Sequence, residues 1–141
     1  MKLIALTLTI FLTTSLFAQS PATEAVNRLF SNGSYEGRYN SEKCTVTIES
    51  TNNSVTISIS NNAFNDSIIL VNGSSDYKVS NDTGAIAATQ KLNYPRYIKG
   101  GTKILNVVPD DIDQVEFSLT QLLEDHQGLD FSTYASCILA K

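Results

Sequence analysis

Strict alternation of apolar and polar residues is the sequence feature that most constrains this fold. Residues 44–49 and 55–60 place Cys, Val or Ile at every second position, with Thr, Ser or Glu between them, and 115–120 repeats the pattern. Successive side chains of a β-strand point to opposite faces, so this period predicts strands with one buried face. The turn-forming cluster Ser50 to Ser54 separates the first two runs and therefore predicts a β-hairpin.

Further short strand patterns alternate with turn-forming clusters along the rest of the chain. They cover residues 35–39, 68–71, 76–80, 85–90, 94–99, 102–108 and 133–140. We interpret Asn72-Gly73 and Gly100-Gly101 as tight turns after which the chain returns as a new strand, while 122–128 fits either a helical turn or a loop. The fold class predicted is all-β, with about eight or nine strands in a small antiparallel meander, closed into a barrel or folded as a sandwich.

One short helix is expected before the first strand. Ser20-Pro21 provides an N-cap and a proline at the first helical position. Apolar residues follow at helical spacing up to Phe30, and Asn32-Gly33 ends the pattern with residues that tolerate a left-handed conformation.

The first eighteen residues have the layout of a secretory signal peptide. Lys2 gives a positive start, Leu3 to Leu12 is nearly all apolar, and Ala18 supplies the small residue before a cut. We therefore expect residues 1–18 to be removed and residues 19–141 to form a single β-barrel-like domain that is secreted or periplasmic. The apolar run is too short for a membrane anchor, and we expect no membrane span.

Cys44 and Cys137 are the only two cysteines, so one intramolecular pairing exists. An oxidising compartment and the lack of a Cys-x-x-Cys motif favour a structural disulfide over a reactive thiol. Cys44 lies in the first or second predicted strand and Cys137 in the last. A bridge between them requires α-carbons within about 7 Å, so it predicts that the two ends of the sheet meet.

Charge and composition argue against two classes of function. Without Lys2 the chain has nine Lys and Arg against fourteen Asp and Glu, an acidic balance that disfavours nucleic acid as a partner. Catalysis is poorly supported, since His126 is the single histidine and no nucleophile motif is present. Asp110, Asp111 and Asp113 miss the spacing of a calcium loop and are interpreted as a solvated turn. We therefore expect no catalytic residues, no metal site and no cofactor.

Segregated charge marks the one candidate contact surface. No Asp or Glu occurs between Asp82 and Asp110, a window that contains four cations and two tyrosines. Tyrosine and arginine combine large contact area with polar ends, as binding surfaces require. The candidate contact residues are Arg96, Tyr97, Lys99 and Lys103. The alternative is an ordinary hairpin with solvated lysines.

The predicted fold, with its small helix and closing disulfide, is similar to lipocalin-like and avidin-like barrels. The tryptophan typical of the first strands of those barrels is missing from this chain. In size, compartment and β content the chain also resembles small periplasmic lysozyme inhibitors, a likeness at the level of the fold. The function expected is a non-catalytic binding module for an extracytoplasmic protein, glycan or small ligand. The alternative is an inhibitor or structural partner of an extracytoplasmic enzyme or a cell-envelope component.

Overall fold

The computed structural model of the protein describes residues 21–74, 76–79, 84–92, 98–110, 113–128 and 130–141. These residues form one helix and nine strands. The helix is α1 (Pro21–Leu29), and the strands are β1 (Gly33–Tyr39), β2 (Glu42–Ser50), β3 (Ser54–Ser60), β4 (Asn65–Val71), β5 (Tyr77–Val79), β6 (Ile86–Leu92), β7 (Ile98–Pro109), β8 (Gln114–Asp125) and β9 (Asp130–Ala140). The signal-peptide prediction for residues 1–18 lies outside the described residues.

All nine strands belong to one antiparallel sheet that is nearly closed into a barrel. Their order is β4-β3-β2-β1-β9-β8-β7-β6-β5, so the first and last strands of the chain are neighbours, paired at Arg38 and Ile138. The predicted all-β barrel, with one short helix and a disulfide, is confirmed. Among the described strands, β4 and β5 form the two edges of the sheet.

Strand β5 runs in the same direction as β4, so the two together act as one interrupted strand and the chain reverses as often as in an eight-stranded meander. Every neighbouring pair in the sheet is antiparallel, so counting along the order gives β4 and β5 the same direction. The linker from 72 to 76 spans at most about 18 Å, too short to return along a seven-residue strand and start again. The chain therefore crosses from one partner strand, β3, to another, β6, without reversing.

This crossing corrects the interpretation of Asn72-Gly73. A turn is present there, since the Ser74 amide donates to the Val71 carbonyl at 3.1 Å and Gly73 has a φ of 77°. A positive φ at the third residue fits a type II turn, which glycine favours. The chain was expected to turn back and form a strand beside the preceding one, β4. That expectation was wrong, because β5 continues in the direction of β4 and pairs with β6.

Gly100-Gly101 was also wrongly assigned as a hairpin turn. Both glycines lie inside β7, where Gly101 pairs with Leu92 on one side and Leu123 on the other. A register shift between Ile98 and Gly100 marks an irregularity in the strand, a common role of glycine inside a sheet. Residues 122–125, expected to be a helical turn or a loop, extend strand β8.

The apolar core fills the space enclosed by the sheet. Alternate residues of the strands face inward, as their period predicted, and the fully buried side chains include Ile48, Ile57, Ile68, Leu105, Phe117 and Leu139. Burial of each such side chain contributes about 1.5–3 kcal/mol to folding. The interior is therefore the main source of stability.

Helix α1 packs against strands β3 and β5. Val26 is fully buried, and the ring of Phe30, directly after the helix, lies 4.9 Å from Tyr35 and 5.8 Å from Phe117. The Asn32 side chain exchanges two hydrogen bonds with the backbone of Ser50. A nine-residue helix is marginal in isolation, so these contacts hold it in place.

Candidate functional site

The disulfide predicted from the sequence is formed, and it lies at a sharp fold of the sheet. The α-carbons of Cys44 and Cys137 are 5.7 Å apart, although β1 lies between their strands. Strands two places apart in a flat sheet are separated by roughly 9.5 Å. The sheet therefore folds sharply around β1, which brings β2 against β9.

Gly37 makes this fold possible. It pairs with Cys44 and so faces the same side of the sheet as the disulfide. A Cβ atom built at Gly37 would lie 2.8 Å from the Cys137 sulfur and 2.7 Å from a methyl carbon of Leu139, and it would also meet the Ile138 carbonyl. Only glycine leaves room for the bridge to pass over β1.

A groove opens on the outer face of this fold, where β1 and β9 meet. Its volume is about 600 Å³, and a smaller cleft of about 220 Å³ continues from it, since Glu36 and Lys43 border both. We call the two together the seam groove. The larger part is lined by Glu36, Gly37, Arg38, Lys43, Gln114, Ile138 and Ala140, and the smaller by Glu36, Lys43, Cys44, Thr45, Ser60, Asn61 and Asn62.

Two cations face each other across strands at the seam groove. Arg38 and Lys43 are directly paired in register, and both side chains are exposed. Within the described part of the chain neither forms an ion pair or a hydrogen bond, and Glu36, two residues before Arg38, forms no ion pair with either cation. Like charges placed opposite each other on neighbouring strands destabilise a sheet. The fold therefore places two cations without ion-pair partners beside the groove, against one carboxylate, that of Glu36.

The hairpin that presents these cations is tight. Asn40 and Ser41 connect β1 to β2, with φ angles of 49° and 70°. Two positive φ angles define a type I′ turn, whose twist matches that of the flanking strands. The turn sets the register that places Arg38 opposite Lys43.

A tyrosine pair lies further along the outer face of β9. The Tyr134 ring packs edge-on against Tyr39, with centroids 6.1 Å apart, and about half of Tyr134 is exposed. Partial burial raises the pKa of Tyr134, and the neighbouring Tyr39 and Glu116 add to the increase while nearby Ser136 opposes it. The Ser136 hydroxyl donates to a Glu116 carboxylate oxygen at 2.6 Å. The raised pKa keeps the phenol of Tyr134 protonated at neutral pH.

Lys103, one of the residues expected at the contact surface, faces the barrel interior. Its ammonium group forms an ion pair with Asp66 and donates to the Ser67 carbonyl at 2.8 Å. The two charged side chains are only 13% and 20% exposed. The ion pair links β7 to the edge strand β4, which does not pair with β7 in the sheet. The residues next to Lys103 in the sequence did not predict this partner. The second carboxylate oxygen of Asp66 is buried without a hydrogen bond.

The other residues of the predicted contact surface are not tested by the structure. Arg96 and Tyr97 lie outside the described residues, and Lys99 belongs to β7 but its side chain is not described. That surface stays a prediction, and it now depends on these three residues.

His126 and Asp110, both considered for chemistry, lie directly after strands. His126 is exposed directly after β8. A carboxylate oxygen of Asp110 accepts a hydrogen bond from the Gln114 amide, which fits the turn interpretation, while Asp111 lies outside the described residues. Among the described residues there is no group of three metal-ligating side chains, and no helix is long and apolar enough to cross a membrane.

Sequence reasoning did not identify the seam groove. Arg38 and Lys43 are five residues apart, a spacing that places them opposite each other only if the chain reverses between residues 40 and 41. Asn40-Ser41 lacks the glycine that is typical of two-residue hairpin turns, so the register between β1 and β2 could not be predicted from the sequence. The available signal was the cysteine at position 44, which locates the start of β2.

Comparisons with protein-family models, with curated proteins and with solved structures found no match for this chain.

Proposed function

We propose that the protein is a secreted or periplasmic, non-catalytic binding module that holds its ligand in the seam groove. The observation that carries this proposal is the pair of unpartnered cations, Arg38 and Lys43, at the border of a preformed groove. The disulfide directly beneath makes the groove rigid, and a rigid site loses little entropy on binding.

The extracytoplasmic location is supported by the signal-like residues 1–18 and by the disulfide, which persists in oxidising compartments. Intact-mass measurement of protein secreted by its native host should give a chain that begins at Gln19 with Cys44 and Cys137 oxidised. Retention of Met1, or two free thiols, would contradict this location.

The tyrosine pair favours a second candidate, a partner of an extracytoplasmic enzyme or envelope protein. Tyr134 exposes about half of its side chain while its ring packs against Tyr39, and tyrosine is one of the residues that dominate protein interfaces. In this candidate Tyr134, and not the seam groove, provides the main contact.

Capture experiments with matched variants separate the two candidates. The mature domain is immobilised, and ligands from the extracytoplasmic extract of the native host are identified by mass spectrometry and by glycan analysis. Arg38→Ser/Lys43→Ser removes the two groove cations. Lys78→Ser/Lys91→Ser is the control, because it removes two exposed lysines from β5 and β6.

We expect the groove variant to lose the captured ligand and the control variant to keep it. Loss in Tyr134→Ser alone would favour the protein-partner candidate. Equal capture by all variants, with an unchanged circular dichroism spectrum, would contradict both candidates.

A further inference from the structure

We infer that the ligand of the seam groove is a carboxylated glycan, with its acid group between Arg38 and Lys43. This inference rests on the proposed function, and it identifies the class of ligand from the side chains that border the groove.

The two cations specify an anionic oxygen group. Side chains at directly opposed positions of an antiparallel pair start about 5 Å apart, so the guanidinium of Arg38 and the ammonium of Lys43 can converge on one carboxylate. The planar guanidinium binds both oxygens of a carboxylate, while the lysine contributes a point charge. Binding also removes the repulsion between the two cations.

The remainder of the groove favours a sugar chain over an acidic peptide. The polar groups along it are hydroxyls and amides of Thr45, Ser60, Asn62 and Gln114, which match the donors and acceptors of sugar hydroxyls. Ile138 and Ala140 provide a small apolar surface for the face of a sugar ring. The volume of about 600 Å³ is within the range of small-ligand sites.

Glu36 refines the ligand class, because it borders both parts of the groove. A carboxylate accepts hydrogen bonds from hydroxyls but repels a second acid group. The groove therefore suits a chain in which acidic sugars alternate with neutral ones, and it disfavours a chain with an acid on every unit.

The test uses the oxidised mature domain and four soluble probes, with binding measured by calorimetry and by changes in amide chemical shifts. The probes are a hyaluronate oligosaccharide, which alternates acidic and neutral sugars, an oligogalacturonate, a neutral chitin oligosaccharide and a polyglutamate peptide. We expect the hyaluronate oligosaccharide to bind most tightly, with shifts centred on Arg38, Lys43 and Glu36.

The affinity should fall at least tenfold in Arg38→Ser/Lys43→Ser and stay within twofold in Lys78→Ser/Lys91→Ser. It should also decrease as salt rises, since the contact is ionic. Glu36→Gln should raise the affinity for oligogalacturonate.

Failure of the inference is distinguishable from failure of the proposed function. If no probe binds, or if the chitin oligosaccharide or polyglutamate binds as tightly as the hyaluronate oligosaccharide, the carboxylated-glycan inference is overturned. The proposed function would still hold if Arg38→Ser/Lys43→Ser lost the ligand captured from the native extract.

Discussion

A methyl group added at Gly37 should lower the stability of the fold more than the small size of the group suggests. Gly37 has an ordinary extended conformation, so Gly37→Ala introduces no backbone strain, and the expected effect is purely one of space. Two of the atoms that the new methyl group would meet are the disulfide sulfur of Cys137 and the backbone carbonyl of Ile138. Neither can rotate away, in contrast to the end of a flexible side chain.

The magnitude follows from those contacts. The built Cβ lies 2.8 Å from the sulfur and 2.7 Å from a methyl carbon of Leu139, roughly 1 Å inside ordinary van der Waals separation. Overpacking a core by one methyl group typically destabilises by about 1–3 kcal/mol. Because β1 must move away from β9 to relieve two rigid contacts, we expect a loss at the upper end, about 3 kcal/mol.

Urea denaturation of the oxidised mature domain measures this loss, with the midpoint falling at constant slope. Gly100→Ala is the matched control, because its Cβ would meet no atom within 4 Å. That control should leave the stability unchanged or raise it by up to about 1 kcal/mol. If Gly37→Ala unfolds at the same urea concentration as Gly100→Ala, the argument from the crossing disulfide is refuted.

Three further changes test other parts of the structure. Ser41→Gly should stabilise the domain by about 0.5–1 kcal/mol in urea denaturation, since residue 41 has a positive φ that glycine adopts without strain; an unchanged or lower midpoint would contradict the turn assignment. Lys103→Met should destabilise by about 2–3 kcal/mol because it leaves a largely buried carboxylate unpaired, and adding Asp66→Asn should recover part of the loss; no recovery in the double variant would argue against the ion pair. Arg96→Ser/Lys99→Ser should weaken any contact made through the surface predicted from the sequence and make the remaining contact less dependent on salt, measured as ligand capture at rising salt; equal capture would remove that surface from consideration.

The sequence allowed the fold class and the disulfide to be predicted, because both depend on local patterns. Alternation in 44–49 and 55–60 reflects one buried face, and a single pair of cysteines leaves one pairing. The turns were harder. Asn72-Gly73 and Gly100-Gly101 have the composition of hairpin turns, but one bends a strand onward and the other lies inside a strand. Glycine permits a conformation without specifying which strands it joins.

The candidate site could not be predicted because it depends on register and on long-range pairing. The two groove cations form a candidate site only because the turn at 40–41 places Arg38 opposite Lys43. Lys103 was grouped with surface cations by its sequence neighbours, although alternation with the buried Leu105 already directed it inward. Its partner, Asp66, is 37 residues away and on a strand that does not pair with β7.

The crossing at residues 72–76 divides the chain into two halves, β1 to β4 and β5 to β9, with one cysteine in each. A protease that cut this linker would therefore produce two polypeptides that remain one covalent molecule through Cys44 and Cys137. On a gel, the nicked protein should migrate as a single band without reductant and as two fragments with it. The disulfide thus keeps the two halves of the barrel covalently joined when the chain between them is cut.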